Sequence, residues 1–138
     1  MSDFKARSFV MIMIIIALSS LFLRLAIEKI IEFNIKQNES YAQATLKSVS
    51  TALENYSRDH QGVYPAEPSA LTGGPARYMD KDYLSGSLSK GYEFTCRRMD
   101  SSGYNCSALP LKCGFTGSKI YSVSTSGLFV FEDCSGKD

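Results

Sequence analysis

The strongest hydrophobic pattern in the chain lies near its N-terminus. Residues 9–23, with the sequence FVMIMIIIALSSLFL, contain no charge, proline or glycine. Together with the residues up to Ile27, they approach the ~20 residues that an α-helix needs to cross a bilayer. Arg24 fits within such a span when its guanidinium extends to the lipid headgroups. The pattern predicts a transmembrane helix over residues 9–27, here called the anchor segment, behind a short cytoplasmic leader of residues 1–8.

Beyond the anchor segment, the apolar positions form a stripe along a predominantly polar segment. Helix-favouring residues are abundant there, and no proline or glycine occurs between Lys5 and Gln61. The pattern predicts that the helix continues as an amphipathic half over residues 28–61 and ends at Gly62. The stripe is the predicted face for packing and assembly, and consists of Ile31, Ile35, Ala42, Leu46, Val49, Leu53 and Tyr56.

The remainder of the chain has turn residues first and strand patterns afterwards. Residues 62–90 are rich in proline, glycine and serine, which predicts an irregular loop held to the core by Tyr78, Tyr83 and Leu84. From residue 91 the apolar positions alternate with polar ones, as on half-buried strands. Two hairpins are predicted within residues 91–138. The expected fold is therefore α+β, with a long N-terminal helix packed on a small antiparallel sheet.

Four cysteines lie in the C-terminal third of the chain, and their even number predicts disulfides formed in an oxidising compartment. In the first hairpin, an expected five-residue loop from Met99 to Gly103 would place Cys96 opposite Cys106. The second hairpin brings the C-terminal strand close to the chain leaving Cys113. We therefore expect the pairs Cys96–Cys106 and Cys113–Cys134. A zinc site is the alternative, but the spacing contains no C-x-x-C pair.

Charge and composition weigh against several classes of function. Lys and Arg total 15 and Asp and Glu 14, a balance that does not favour nucleic-acid binding. The single histidine, His60, lies at the predicted helix C-terminus, where it is expected to cap the helix. We expect no enzyme, no cofactor and no metal site. Calcium held by Glu132, Asp133 and Asp138 is a weaker alternative.

The order of these segments resembles the type IV pilin and type II secretion pseudopilin superfamily. The segment ALENY, residues 52–56, followed by GVYP, residues 62–65, is similar to the helix end of pseudopilins. The segments KIYSV, residues 119–123, and SGLFV, residues 126–130, resemble their closing hairpin. The resemblance implies a pilin-like fold and a structural role in a filament that assembles through its helices.

The same resemblance identifies a degenerate prepilin processing site. Members of the family are cleaved between a glycine and a phenylalanine, and the mature chain carries a glutamate at its fifth position. Aligning Phe9 with that phenylalanine places Ser8 at the glycine position and Met13 at the glutamate position. Tip-type minor pseudopilins also lack this glutamate, so the resemblance implies a minor or tip subunit.

The expected function is that of a structural subunit in a pilus-like or pseudopilus assembly. Its partners would be other pilin-like subunits, the inner-membrane assembly platform and membrane lipid. Its expected location is the bacterial inner membrane, with the C-terminal domain in the periplasm or outside the cell. Two alternatives stay open: a monomeric membrane-tethered binding domain, and a secreted module released by signal peptidase after Ser19. The mature chain would begin at Phe9 in the pilus-like subunit, at Met1 in the tethered domain and at Ser20 in the secreted module.

Overall fold

The computed structural model describes residues 2–134, with side chains from Arg7 onward. The chain divides into two compact units, Met1–Asn34 and Ile35–Asp138. The elements in chain order are helix α1 (Ser2–Asp59), the short helix α2 (Ser69–Thr72) and strands β1 (Ser85–Ser89), β2 (Tyr92–Asp100), β3 (Gly103–Pro110), β4 (Lys119–Ser124) and β5 (Leu128–Asp133). The predicted α+β class is confirmed.

Helix α1 ends two residues before the predicted boundary. Gln61 and Gly62 adopt the left-handed backbone conformation, with φ of 58° and 89°. The Gly62 N–H then donates a hydrogen bond of 2.7 Å to the Ser57 carbonyl, which closes the last turn. The His60 ring also caps this end, because its Nδ1 donates to the Tyr56 carbonyl oxygen at 2.8 Å.

The five strands form one antiparallel sheet in the order β1-β2-β3-β4-β5. The two predicted hairpins, β2–β3 and β4–β5, are confirmed. In the second hairpin Ser124 faces Leu128 and Lys119 faces Asp133. In the first, Cys96 faces Cys106 as predicted, but a two-residue turn replaces the expected five-residue loop and a bulge before Arg98 restores the register.

Strand β1 was not predicted from the sequence. Residues 62–90 were expected to be a loop, yet they contain α2 and β1. The sequence of β1, SGSLS, is largely polar and does not alternate, so it carries no strand pattern. The pairing is bulged between Ser85 and Leu88, which is consistent with this weak sequence signal. The three residues expected to hold the loop do contact the core: Leu84 is buried and Tyr78 and Tyr83 pack against it.

The core of the second unit lies between α1 and one face of the sheet. Ala42, Leu46, Val49 and Leu53 of the apolar stripe are fully buried there. Their partners come from the sheet and from the segment before it: Leu71, Met79, Leu84, Tyr92, Phe94, Tyr104, Cys106, Ala108, Tyr121 and Val123. The prediction that these four stripe residues form an assembly face is therefore wrong, because their own sheet removes them from contact with any neighbour.

Both predicted disulfides are present. Cys96–Cys106 joins facing residues of β2 and β3, with Cα atoms 3.9 Å apart. Cys113–Cys134 joins the segment before β4 to the residue after β5, with Cα atoms 5.9 Å apart. The second bridge fixes the C-terminal end of β5, which otherwise would be free to fray.

The core predicts a large effect for truncation of the stripe. Leu46→Ala should lower the free energy of unfolding by about 2–5 kcal/mol, because it opens a cavity at a fully buried position. Leu88→Ala, at an exposed site on β1, is the matched control and should change it by less than about 0.5 kcal/mol. Denaturant unfolding of the detergent-solubilised full chain measures both. Equal losses for the two variants would show that the stripe is not the core.

Candidate functional site

The anchor segment presents apolar side chains on every side of α1. Each large apolar residue from Phe9 to Leu25 is more than half exposed within the described chain. The most apolar 18-residue window of the helix has a mean hydropathy of 2.6, so by length and composition α1 is a candidate membrane span. A helix that is apolar all round needs lipid or protein as its surroundings. This surface is the first part of the candidate functional site.

The three residues predicted to form a degenerate processing site lie on two consecutive turns of this helix. Ser8 and Phe9 are exposed, and Met13 lies about one turn beyond Phe9 and is also exposed. No packing within the described chain restricts the side chain at position 13. A carboxylate could therefore be introduced there without a steric clash inside this chain.

Charged residues form pairs along the helix where the apolar sequence ends. Arg24 lies 3.6 Å from Glu28, one turn further on, and the Lys29 ammonium donates to Glu32 at 2.9 Å. All four side chains are exposed, so each pair contributes little to stability. Their effect is to mark the polar boundary of the apolar surface.

A carboxylate near the C-terminal end of α1 ties the helix to the sheet. Glu54 accepts hydrogen bonds from the Tyr104 hydroxyl of β3 at 2.9 Å and from the Ser126 N–H at 2.9 Å. The hydroxyl of Tyr64, from the segment after the helix, lies 3.1 Å from its second oxygen. Ser126 has a φ of 69°, so Glu54 holds a strained residue in the turn between β4 and β5. We call Glu54 and these donors the Glu54 cluster.

A second carboxylate ties the helix to the other end of the same sheet. Glu39 accepts from both the N–H and the hydroxyl of Ser118, at 2.8 and 2.6 Å. Beside it, the Asn38 amide donates to the Thr116 carbonyl oxygen at 2.9 Å. Glu39 and Glu54 are roughly 22 Å apart along the helix axis. The two carboxylates thus fix both ends of the helix–sheet contact.

Burial and these carboxylates shift the titration of the neighbouring tyrosines. Burial, with the Glu54 carboxylate as a further cause, raises the pKa of Tyr104 to about 12. Burial also raises the pKa of Tyr92, and the charge of Glu39 adds to this effect. Both phenols are therefore neutral donors at neutral pH, and Tyr92 donates to the Lys119 carbonyl oxygen at 2.8 Å.

An aromatic recess lies at the C-terminal end of α1. The rings of Tyr56 and His60 stack with centroids 3.9 Å apart, and Tyr78 meets Tyr56 edge-on at 5.4 Å. The Tyr78 hydroxyl donates to Asp59 at 2.8 Å. With Ala70, Gly73, Pro75 and Ala76, the three rings enclose a recess of about 330 Å³. The recess is open to solvent and has room for a side chain of a ligand.

The sequence identified the anchor segment and the cysteines but missed the Glu54 cluster. Glu54 directly follows Leu53 of the apolar stripe, and a carboxylate at the border of a packed face was the available signal. The three acids considered for calcium do not form a site within the described residues: Glu132 and Asp133 are consecutive on β5 and project to opposite faces. Asp138 lies outside the described residues.

Comparison of the chain with protein-family models, with curated proteins and with solved structures finds no match. The chain has a candidate membrane-spanning helix and a disulfide-linked α+β domain.

The Glu54 cluster predicts a stability loss that depends on the charge of the carboxylate. Glu54→Gln keeps the size of the side chain but replaces a charged acceptor, so the free energy of unfolding should fall by about 1.5–3 kcal/mol. Glu93→Gln, on an exposed position of β2, is the control and should have almost no effect. Denaturant unfolding at neutral pH compares the two. A Glu54 variant as stable as the control would show that the charge of Glu54 does not stabilise the fold.

The raised pKa of Tyr104 predicts loss of stability in alkali. Its folded pKa of about 12 lies above the ordinary value of 10.0, so the stabilisation is complete below pH 10 and is lost as pH rises through 12. The unfolding free energy should therefore fall between pH 10 and pH 12, and less steeply in Tyr104→Phe. The free energy of unfolding of each protein at pH 8 is its reference value, because the Tyr104 phenol is protonated there in both the folded and the unfolded chain. Identical slopes above pH 10 would contradict this assignment.

Proposed function

We propose that this protein is a membrane-anchored structural subunit of a pilus-like or secretion pseudopilus assembly. It acts as a minor or tip-type subunit in a bacterial inner membrane, with the disulfide-linked domain in the periplasm or outside the cell. Its partners are other pilin-like subunits, the membrane assembly platform and lipid. The activity is assembly, and no catalytic step is part of the proposal.

The proposal rests on a single observation, which is that the apolar side chains of α1 form one buried group and one exposed group. From Ala42 to Leu53 the apolar stripe is buried by the chain's own sheet, whereas from Phe9 to Phe33 large apolar side chains are exposed. The first group stabilises the domain and is unavailable to other subunits. Lateral association therefore depends on the anchor segment and the few residues after it, including Ile31, and not on the whole predicted stripe.

The surface of the anchor segment supports association between helices within a membrane. Its exposed residues are almost entirely apolar, so helices of this type pack through van der Waals contact once lipid surrounds them. Ser20 satisfies its hydroxyl within the helix, because it donates to the Ala17 carbonyl oxygen at 2.9 Å. Without a carboxylate at Met13, the register between neighbouring helices lacks a buried polar pair, which supports a minor or tip role.

The disulfides support the proposed extracytoplasmic location of the domain. Both cystines belong to the second unit, and stable disulfides form where the surroundings are oxidising. An extracytoplasmic domain on a membrane anchor is the simplest arrangement with this property.

The aromatic recess favours a second candidate function, a monomeric membrane-tethered binding domain. Tyr56, His60 and Tyr78 offer aromatic faces and one free imidazole nitrogen to a side chain of a ligand. Such a protein would keep Met1 as its N-terminus and would not assemble through its anchor segment. The processing experiment below distinguishes the two functions.

Restoring the processing signal tests the proposal directly. Ser8→Gly combined with Met13→Glu should increase the fraction of chains that begin at Phe9 and their incorporation into the assembly, in cells with an active prepilin peptidase. The reason is that glycine admits the peptidase at the scissile carbonyl and the carboxylate restores the polar pair between subunits. Intact-mass spectrometry of membrane extracts measures the N-terminus.

The control places the same charge at the wrong position. Ser8→Gly with Met11→Glu adds a carboxylate at another exposed position, about 200° around the helix from position 13. This variant pays the same insertion cost, on the order of 3 kcal/mol, without restoring the pair. An unchanged N-terminus in the first variant, or equal incorporation of both, would overturn the pilin-like function.

A further inference from the structure

The loop between β3 and β4, residues 111–118, presents two apolar side chains to the exterior of the domain. Leu111 is 57% exposed and Phe115 is 54% exposed. The loop is closed by its own backbone, because the Phe115 N–H donates to the Lys112 carbonyl oxygen at 3.1 Å. The disulfide of Cys113 joins it to the end of β5. We call this segment the Cys113 loop, and its exposed apolar surface needs a cover.

The Cys113 loop lies beside the first residues of α1 in the second unit. The Asn38 amide donates to the Thr116 carbonyl oxygen at 2.9 Å, and the next residue, Glu39, accepts from the Ser118 N–H at 2.8 Å. Only residues 28–37 separate the anchor segment from Asn38, which as helix amounts to about 17 Å. The lipid headgroup region takes up about 5–7 Å of this length. The chain therefore keeps the loop close to the membrane that holds the anchor segment.

The charges on the loop and on the turn beside it suit lipid headgroups. The loop contains Lys112 and no acidic residue, and the turn of residues 89–91 contains Lys90 and no acidic residue. We call this second segment the Lys90 turn. It packs on the loop, since the Leu111 N–H donates to the Gly91 carbonyl oxygen at 2.9 Å. Both lysines are exposed. Apolar side chains beside exposed lysines are typical of surfaces that bind anionic bilayers.

Two acidic residues near the loop have partners within the domain. Glu39 accepts hydrogen bonds from both the N–H and the hydroxyl of Ser118. Asp133 faces Lys119 across β4 and β5. These partners reduce the repulsion between the two carboxylates and anionic headgroups.

We propose that the Cys113 loop and the Lys90 turn bind the surface of the membrane that holds the anchor segment, with Leu111 and Phe115 among the lipid headgroups. The disulfide already holds the loop in one conformation, so little ordering is needed on binding. A helix tilt of about 20°, which is ordinary for membrane-spanning helices, brings the loop towards the bilayer. The contact rests on the membrane location given in the proposed function and not on assembly with other subunits.

Tryptophan fluorescence in vesicles tests the contact, because the chain contains no tryptophan. Full chains with Phe115→Trp or Leu111→Trp are reconstituted in vesicles of phosphatidylglycerol and phosphatidylcholine, with and without acyl chains brominated near the headgroup. Each variant should lose roughly half of its fluorescence to the bromine atoms, since side chains at the headgroup boundary lie within their reach. Leu128→Trp is the matched control, because Leu128 is 62% exposed and lies two residues after Ser126 of the Glu54 cluster. Its fluorescence should not change.

A tryptophan in the anchor segment separates failure of this contact from failure of the membrane location. Leu18→Trp, at a position that is 60% exposed, should be quenched in the same vesicles. Quenching at position 18 without quenching at positions 111 and 115, or equal quenching at position 128, would overturn the contact while the anchor segment stays in the membrane. Absence of quenching at position 18 would contradict the membrane location, and the contact with it.

Charge reversal tests the part of the Lys90 turn. In the Phe115→Trp chain, Lys90→Glu should lower the quenching about twofold in vesicles that contain phosphatidylglycerol, because a carboxylate then faces anionic headgroups. Arg97→Glu makes the same change of charge at an exposed position of β2 and should leave the quenching unchanged. Lys112 is retained, because its ammonium lies 4.4 Å from the centre of the Phe115 ring and its removal would alter the surroundings of the probe. Equal effects of Lys90→Glu and Arg97→Glu would overturn the assignment of the turn to the contact.

Discussion

Every large apolar side chain on helix α1 must be removed from water, and the chain provides a cover for only part of them. Within the second unit, one face of the sheet buries Ala42, Leu46, Val49 and Leu53 completely. In the first unit the apolar residues surround the helix and are exposed on all sides. That surface requires lipid or other helices, and this requirement underlies the proposed location and function.

The helix and the sheet are joined at two defined points as well as by apolar contact. Glu39 and Glu54 accept hydrogen bonds from the segment before β4 and from the turn after it. Burial alone allows a helix to slide on a sheet, whereas directional bonds to charged acceptors set one position. Because Glu54 also holds Ser126 in its left-handed conformation, the cluster determines where β5 begins.

The sequence was most informative where a repeating pattern met a geometric constraint. The alternation in residues 92–108 and the turn within them were sufficient to pair Cys96 with Cys106. The turn is shorter than expected, which shifts the strand register by one residue, and the bulge between Cys96 and Arg98 reverses that shift. Strand β1 could not be predicted, since SGSLS carries no alternation and its pairing depends on the backbone of β2. The assembly face was assigned incorrectly because periodicity shows that a stripe is buried but not which partner buries it. Glu54 was missed because its donors come from three separate segments.

The central claim is that the anchor segment remains in the membrane as part of the mature chain. Membranes from cells expressing the full chain, washed with alkaline carbonate, give the most direct measurement when the N-terminus of the retained protein is then sequenced. The account predicts that the protein stays in the membrane pellet and begins at or before Phe9. A protein recovered mainly in the soluble fraction and beginning at Ser20 would contradict it.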